Sequence, residues 1–438
     1  MQLIFKIYLI SIFLTCTPLL GQRQVPQDAY NGKIAYTGAI IHTGTGQKLE
    51  NATIVIEGGS IIAIGQNIPT QDAKVIDVTD QHIYPGFISV NNTTGLVENE
   101  AVKATVDFNE SADMMPEVRT LIAYNTDSHI IPTIRTNGVL FTQPTLKSGI
   151  LSGTSSVMRL DGWNWEDAVE KKDNVLHLNW PDNRLIADEK RREDFQKDRR
   201  KKLNAVQDLF IRARQYEEKT NYKDYKLEAI KPVFSGEKIL FINLRGADET
   251  LEAIQWAKSL TLPKVVLIVN HSVLGVINEI KNAGYPLIVR RIHDLPATTD
   301  YTPNASFEFP AILQSHGILF GLDYSGDMEY MGVRNLPFLA GTAIAHGLEY
   351  EAAVQSISYN LAKILGIEDR IGSLEVGKQA TFFISKDDAL DQLTNQVTHA
   401  VIKGRPIDLN NKQNDLYKTY HQKYFGNDSI PPTLEHLQ

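Results

Sequence analysis

The sequence predicts an α/β fold: a (β/α)8 TIM barrel with a small β-sandwich domain formed from both chain ends. Two patterns lead there. Through the middle of the chain, short apolar runs alternate with helical stretches, as in βα units feeding a parallel sheet. Near both ends, short β-branched strands are separated by glycine turns or polar connections, as in antiparallel pairing. With 438 residues, 42% of them hydrophobic, the chain has apolar material for one large barrel and a smaller companion.

Residues 1–21 carry one cation, Lys6, then the apolar run from Ile7 to Leu20, then Gly21 at a polar boundary. That is the layout of a signal peptide cleaved near Gly21. The run, about fourteen residues, is shorter than the ~20 that span a bilayer as a helix. The expectation is an exported protein, periplasmic or extracellular, that meets the membrane only through this segment. The only cysteine, Cys16, lies inside it, so the mature chain is expected to lack disulfides.

Residues 22–82 hold the candidate strands Ile34 to His42, Thr53 to Glu57, Ile61 to Gly65 and Lys74 to Val78. This piece is incomplete alone, and Ala380 to Ser385 with Val397 to Lys403, inside residues 373–410, are expected to complete it. Residues 83–372 hold the barrel, with strands at Ile83 to Ile88, Gly138 to Thr142, Ser155 to Leu160, Ile239 to Asn243, Val265 to Asn270, Pro286 to Arg290 and Ile318 to Leu322. A charged insertion at 188–226 has helical spacing at Leu203, Val206, Leu209 and Ile211, with a solvated polar face. Ala353, Ile357, Leu361 and Ile364 predict one amphipathic helix from Glu349 to Leu365, ended by Gly366. Residues 411–438 read as a polar tail.

Acidic residues outnumber basic ones by 52 to 44, a net charge of -8, which argues against nucleic acid as a partner. The stretch from Ser148 to Ser156 is glycine- and serine-rich but lacks a P-loop lysine, so no phosphate site is expected there. Trp163 and Trp165 are expected to close the barrel side. Their alternative reading is a platform for a substrate or partner.

Several stretches resemble the amidohydrolase superfamily, in particular its imidazolonepropionase-like branch. They are IYPGFIS at 83–89, RTNGVLFTQP at 135–144, GILSGTSSVMRLDG at 149–162, NLPFLAGTAIAHGLEYEAA at 335–353 and NLAKILGIEDRIGSLEVGKQATFFI at 360–384. The resemblance implies the same barrel and two-ended β-domain, and an ancestral hydrolysis of non-peptide carbon–nitrogen bonds by metal-activated water. It also implies a degenerate metal site. Where active relatives carry Asp-x-His-x-His after the first barrel strand, this chain has Ser89, Asn91 and Thr93. After the fifth strand, Asn243 or Arg245 stands where a histidine is expected. His271 falls on the family histidine after the sixth strand, and Asp323 on the aspartate that binds metal and shuttles a proton.

Two ligands, His271 and Asp323, fall short of the three that a catalytic zinc site requires. His293 and the Asn91 carbonyl are the conceivable helpers. Without a metal, Asp323 is expected to pair with a cation such as Arg245, Arg290 or Arg291. Two readings follow. One is a hydrolase with a reduced metal centre, its cofactor a divalent metal, zinc first. The other is a non-catalytic pseudoenzyme that binds a small molecule or partners an active paralogue.

Overall fold

The computed structural model describes residues 25–217, 223–296 and 298–426. The segment read as a signal peptide, Cys16 included, and the end of the tail lie outside the described residues.

Among the described residues, sixteen strands form two eight-stranded sheets. The first contains β1 (Lys33–His42), β2 (Lys48–Glu57), β3 (Ser60–Gly65), β4 (Ala73–Asp77) and β5 (His82–Pro85), with β14 (Phe382–Ser385), β15 (Val397–Ile402) and β16 (Arg405–Pro406). Both chain ends therefore meet in one sheet, through the antiparallel pairing of β14 with β5. Its separate core is formed by residues such as Ile41, Ile54, Ile83 and Phe382.

The second sheet runs in the order β13, β12, β11, β10, β9, β8, β7, β6. Its strands are β6 (Phe87–Asn92), β7 (Val139–Pro144), β8 (Leu151–Arg159), β9 (Val169–Asn179), β10 (Ile239–Asn243), β11 (Val265–Val269), β12 (Leu287–Val289) and β13 (Phe320–Leu322). β11, VVLIV, and β12, LIV, are buried at every position, as strands are when helices cover the sheet. The helices of seven or more residues are α1 (Glu189–Gln215), α2 (Ala247–Ser259), α3 (Ile277–Ala283), α4 (Ala305–Ser315), α5 (Leu336–Ala345), α6 (Tyr350–Ser356), α7 (Tyr359–Leu365) and α8 (Lys412–Phe425). In α2, Thr250, Ala253, Ile254 and Ala257 form the buried stripe that helical periodicity requires.

This sheet departs from eight parallel strands in two ways. β8 runs antiparallel to both β7 and β9. And among the described residues no ladder joins β13 to β6. The seam between them is bridged instead by α6, α7 and the two residues between. Ser358, with φ -137° and ψ -93°, interrupts the single helix expected over 349–365. The interruption turns the Ile357 carbonyl toward β6, where it accepts from the Ile88 N–H at 2.9 Å. Two residues on, the Asn360 amide donates to the Phe320 carbonyl of β13 at 2.9 Å. Both exposed edges thus find partners, which buried backbone requires.

Other expectations are also corrected. The run from Ile83 to Ile88 is two strands, β5 and β6, in different sheets with Gly86 between them. β9 was not expected, because its first half, VEKKD, is charged. The helix expected within 188–226 is present, as the 27-residue α1, capped by the Asp188 carboxylate. The polar tail contains an exposed helix, α8. The hairpin that carries Trp163 and Trp165 joins β8 to β9 at the N-terminal end of β9, opposite the end where the strands finish. There Trp163 is exposed and Trp165 packs on the core.

The two sheets dock where Phe383 of β14 covers Gly138, which has φ +81° and precedes β7. A Cβ at position 138 would lie 2.4 Å from the Phe383 ring. Gly138→Ala is expected to destabilise the fold by about 2–4 kcal/mol, combining overpacking with a left-handed alanine. Urea denaturation followed by circular dichroism would detect this as a lower midpoint with an unchanged slope.

Candidate functional site

At the C-terminal ends of the parallel strands lies a cavity of about 730 Å³. Such folds place their sites at this face. Asn91 and Thr93 from β6 and its following turn, Asn243 from β10, Asn270 after β11 and Arg290 after β12 line it. The loop after β7 contributes Lys147, and the loop after β13 contributes residues 325–329.

Asn91 is the hub of the cavity floor. Its backbone is left-handed, φ +52°, a region that asparagine tolerates better than most residues. Its amide Nδ2 donates to Asp323 Oδ2 at 3.0 Å, its N–H donates to Gln143 Oε1 at 3.3 Å, and its carbonyl accepts from Lys147 Nζ at 2.8 Å. Asp323 is fully buried and also accepts from the Ser325 N–H at 3.0 Å and hydroxyl at 2.7 Å. Lys147 makes a second contact, an ion pair with Glu329 at 2.8 Å. Burial pushes both carboxyls above the usual carboxylate range. The hydrogen bonds from Asn91 and Ser325 oppose this at Asp323, and the Lys147 ammonium opposes it at both.

The residues singled out in the sequence are only partly brought together. Asn91, Thr93, Asn243 and Arg290 share the cavity wall. Asp323 lies beneath it, joined to Asn91. His271 is buried and set off the wall, its ring edge-on to Tyr301 with centroids 5.1 Å apart. Burial lowers its pKa, with Asp294 opposing. His293 bonds to the Thr342 hydroxyl at 2.7 Å, beside a different cavity. Ser89 donates to the Phe141 carbonyl at 3.2 Å. Arg245 turns out to an ion pair with Asp182.

The cation expected beside Asp323 was Arg245, Arg290 or Arg291. Arg290 interacts electrostatically with Asp323, and the structure adds Lys147, because the β7 loop folds under Asn91. Lys147 and Glu329 are thus the site residues that sequence reasoning missed. A lysine just past an apolar strand was a readable signal. Glu329 had none, since only the folded loop after β13 brings it near Lys147.

The donor set does not fit a catalytic divalent metal. No group of three or more His, Cys, Asp or Glu side chains suited to an ion occurs among the described residues. Asn91 and Asn243, which stand at expected ligand positions, direct their amides to Asp323 and Asn179. Lys147 is already paired with Glu329 and Arg290 acts on Asp323, so an added cation would meet two positive charges.

Residues 238–407 match the amidohydrolase family. No curated protein matches the sequence. Among solved structures, an amidohydrolase from Thermotoga maritima MSB8 superposes with a TM-score of 0.76 at 21% identity, covering 85% of this chain and 99% of its own. A phenylurea hydrolase B gives 0.53 at 15% identity, over 86% and 97%. A prolidase complexed with N-methylphosphonate-L-proline gives 0.51 at 13%, over 86% and 99%. These are likenesses of fold. The fold is mixed α/β with amidohydrolase neighbours, its larger sheet curled toward a barrel.

Replacing Lys147 by methionine leaves Glu329 buried without its ion-pair partner and removes one of the charges that favour ionised Asp323. The cost should be about 3 kcal/mol near pH 8. Carboxyls with raised folded pKa values bind protons more readily folded than unfolded, so this cost is absent below the unfolded range and grows as pH rises through the folded values. Thermal melts of Lys147→Met should therefore lie closer to wild type at about pH 5 than at about pH 8. An equal deficit at both values would contradict the assigned pairing.

Proposed function

We propose that this protein is an exported, metal-independent small-molecule-binding relative of the amidohydrolases, its cavity kept and its catalytic centre replaced. The carrying observation is the Asn91, Lys147, Asp323 and Glu329 network. The carboxylate that the resemblance assigns to proton shuttling holds Asn91 and Ser325 and is sealed beneath the cavity floor. A general base must reach the proton it abstracts, and Asp323 offers no open oxygen to a ligand in the cavity. Lys147 supplies fixed positive charge where a hydrolytic relative would use a metal.

Affinity with the imidazolonepropionase-like branch belongs to this proposal and rests on the motifs at 83–89 and 360–384. Export rests on the apolar run from Ile7 to Leu20. Partnership with an active paralogue suits a chain that keeps the fold while its ligand positions have changed.

The test is elemental analysis of the purified mature protein after incubation with zinc, manganese or iron, beside His271→Ala and Asp323→Ala. Metal content should be far below stoichiometric and the same in all three proteins. Amide, phenylurea and dipeptide substrates should turn over no faster than in buffer. Stoichiometric metal lost in both variants, together with hydrolysis, would restore the reading of a rearranged hydrolase centre.

A further inference from the structure

We propose that the cavity is a binding site for a single carboxylate, with the Arg290 guanidinium as its anchor. The proposal rests on the reading of the cavity as a binding site and names its ligand chemistry.

Among the described residues the buried arginines are each paired with an acid. Arg159 reaches Glu170 at 3.2 Å, Arg135 reaches Asp161 at 3.5 Å, and Arg199 is paired with Glu252. Arg290, partly buried in the cavity wall, is treated differently. Among the described residues its side chain makes one hydrogen bond, a long one of 3.4 Å from Nη2 to Asn243 Oδ1, and no ion pair. Asp323 attracts it electrostatically, but the oxygens of Asp323 already accept from Asn91 and Ser325. A guanidinium offers five N–H donors in a planar fork that matches a carboxylate edge. Leaving most of them unanswered at a partly buried position is costly unless a ligand supplies the acceptors.

The neighbours add donors on the same wall. Asn270 directly follows β11, which pairs with β12 in register through Val269 and Val289, so Asn270 and Arg290 stand side by side. The Asn270 Oδ1 accepts from the Ser272 N–H and hydroxyl, which leaves its amide hydrogens without a partner among the described residues. The Thr93 hydroxyl likewise lines the cavity with no side-chain hydrogen bond among those residues.

Charge narrows the ligand. Lys147, Arg290 and Arg291 line the cavity, and so do Glu100, Asp294, Asp327 and Glu329. With Lys147 held by Glu329, two guanidiniums remain, Arg291 lying over the Tyr324 ring and donating to the Asp327 carbonyl at 3.4 Å and Arg290 facing Asn270, amid acids that would repel a multiply charged phosphate. A monoanionic carboxylate with a neutral or cationic remainder fits.

The test uses calorimetric titration and thermal melts on the mature wild type, Arg290→Gln and Arg290→Lys, with acetate, N-acetylglycine and inorganic phosphate as probes. Wild type should bind a carboxylate probe and not phosphate. Arg290→Gln should weaken binding roughly tenfold to a hundredfold, with Arg290→Lys between, because an ammonium keeps the charge and loses the fork. Unliganded Arg290→Gln should lose less stability than unliganded Lys147→Met, since Arg290 has no ion pair and acts on Asp323 only electrostatically. A loss without ligand as large as that of Lys147→Met, undiminished binding by Arg290→Gln, preference for phosphate, or no carboxylate binding by wild type would each overturn the proposal. Hydrolysis of a carboxylate-bearing amide, lost in Arg290→Gln, would instead refute the non-catalytic reading and leave the anchor standing.

Discussion

The hydrogen bond from the Asn91 amide to the Asp323 carboxylate joins the first and last strands of the larger sheet, which no backbone ladder connects among the described residues. An ordinary closed barrel removes its edges by strand pairing. Here the closure at the cavity end is made by side chains, and it brings a buried carboxylate into contact with the site. A carboxylate so placed needs compensation, which explains why Ser325 and the Lys147 charge converge on it. The polar floor of the cavity is therefore also the structural closure of the fold.

At the other end of the seam the closure is backbone chemistry. Ser356 and Ser358 bond back to the carbonyls of Ala353 and Val354 at 2.7 and 2.6 Å, which stabilises the turn where α6 stops and α7 begins. The freed Ile357 carbonyl and the Asn360 amide then serve β6 and β13. Close approach is possible because Gly321 of β13 has no side chain, and a Cβ there would lie 2.2 Å from Leu361. The same helical segment reaches the smaller sheet. Glu351 of α6 accepts from His42 Nδ1 at 2.7 Å, and Tyr350 meets the Tyr84 hydroxyl at 2.8 Å.

The legible parts of this fold were those with local periodicity. β1, β3, β7, β10, β11 and β12 each present an apolar run that any reading of burial would find, and α1 announces itself by charge and spacing. The illegible parts have mixed local signals. The charged start of β9 hides a strand that pairs with β8. Gly86 divides one apolar run between two sheets, and the periodicity across 349–365 continues through a break made for tertiary reasons. In the site, the changed ligand positions at Asn91, Thr93 and Asn243 could be read directly. That Asp323 is held by Asn91, with Lys147 beside it in addition to Arg290, could not, because these residues are far apart in the chain.

The sequence by itself determined the class of fold, the joining of both chain ends in one sheet, and the identity of the residues at the cavity mouth, because strand patterning and residue type are local properties. Tertiary structure alone decided which carboxylate met which cation, that β8 would run antiparallel, and that Arg290 would be left without an ion pair. Those outcomes depend on distances between strand ends that no single segment encodes, and on the need of buried backbone edges for partners.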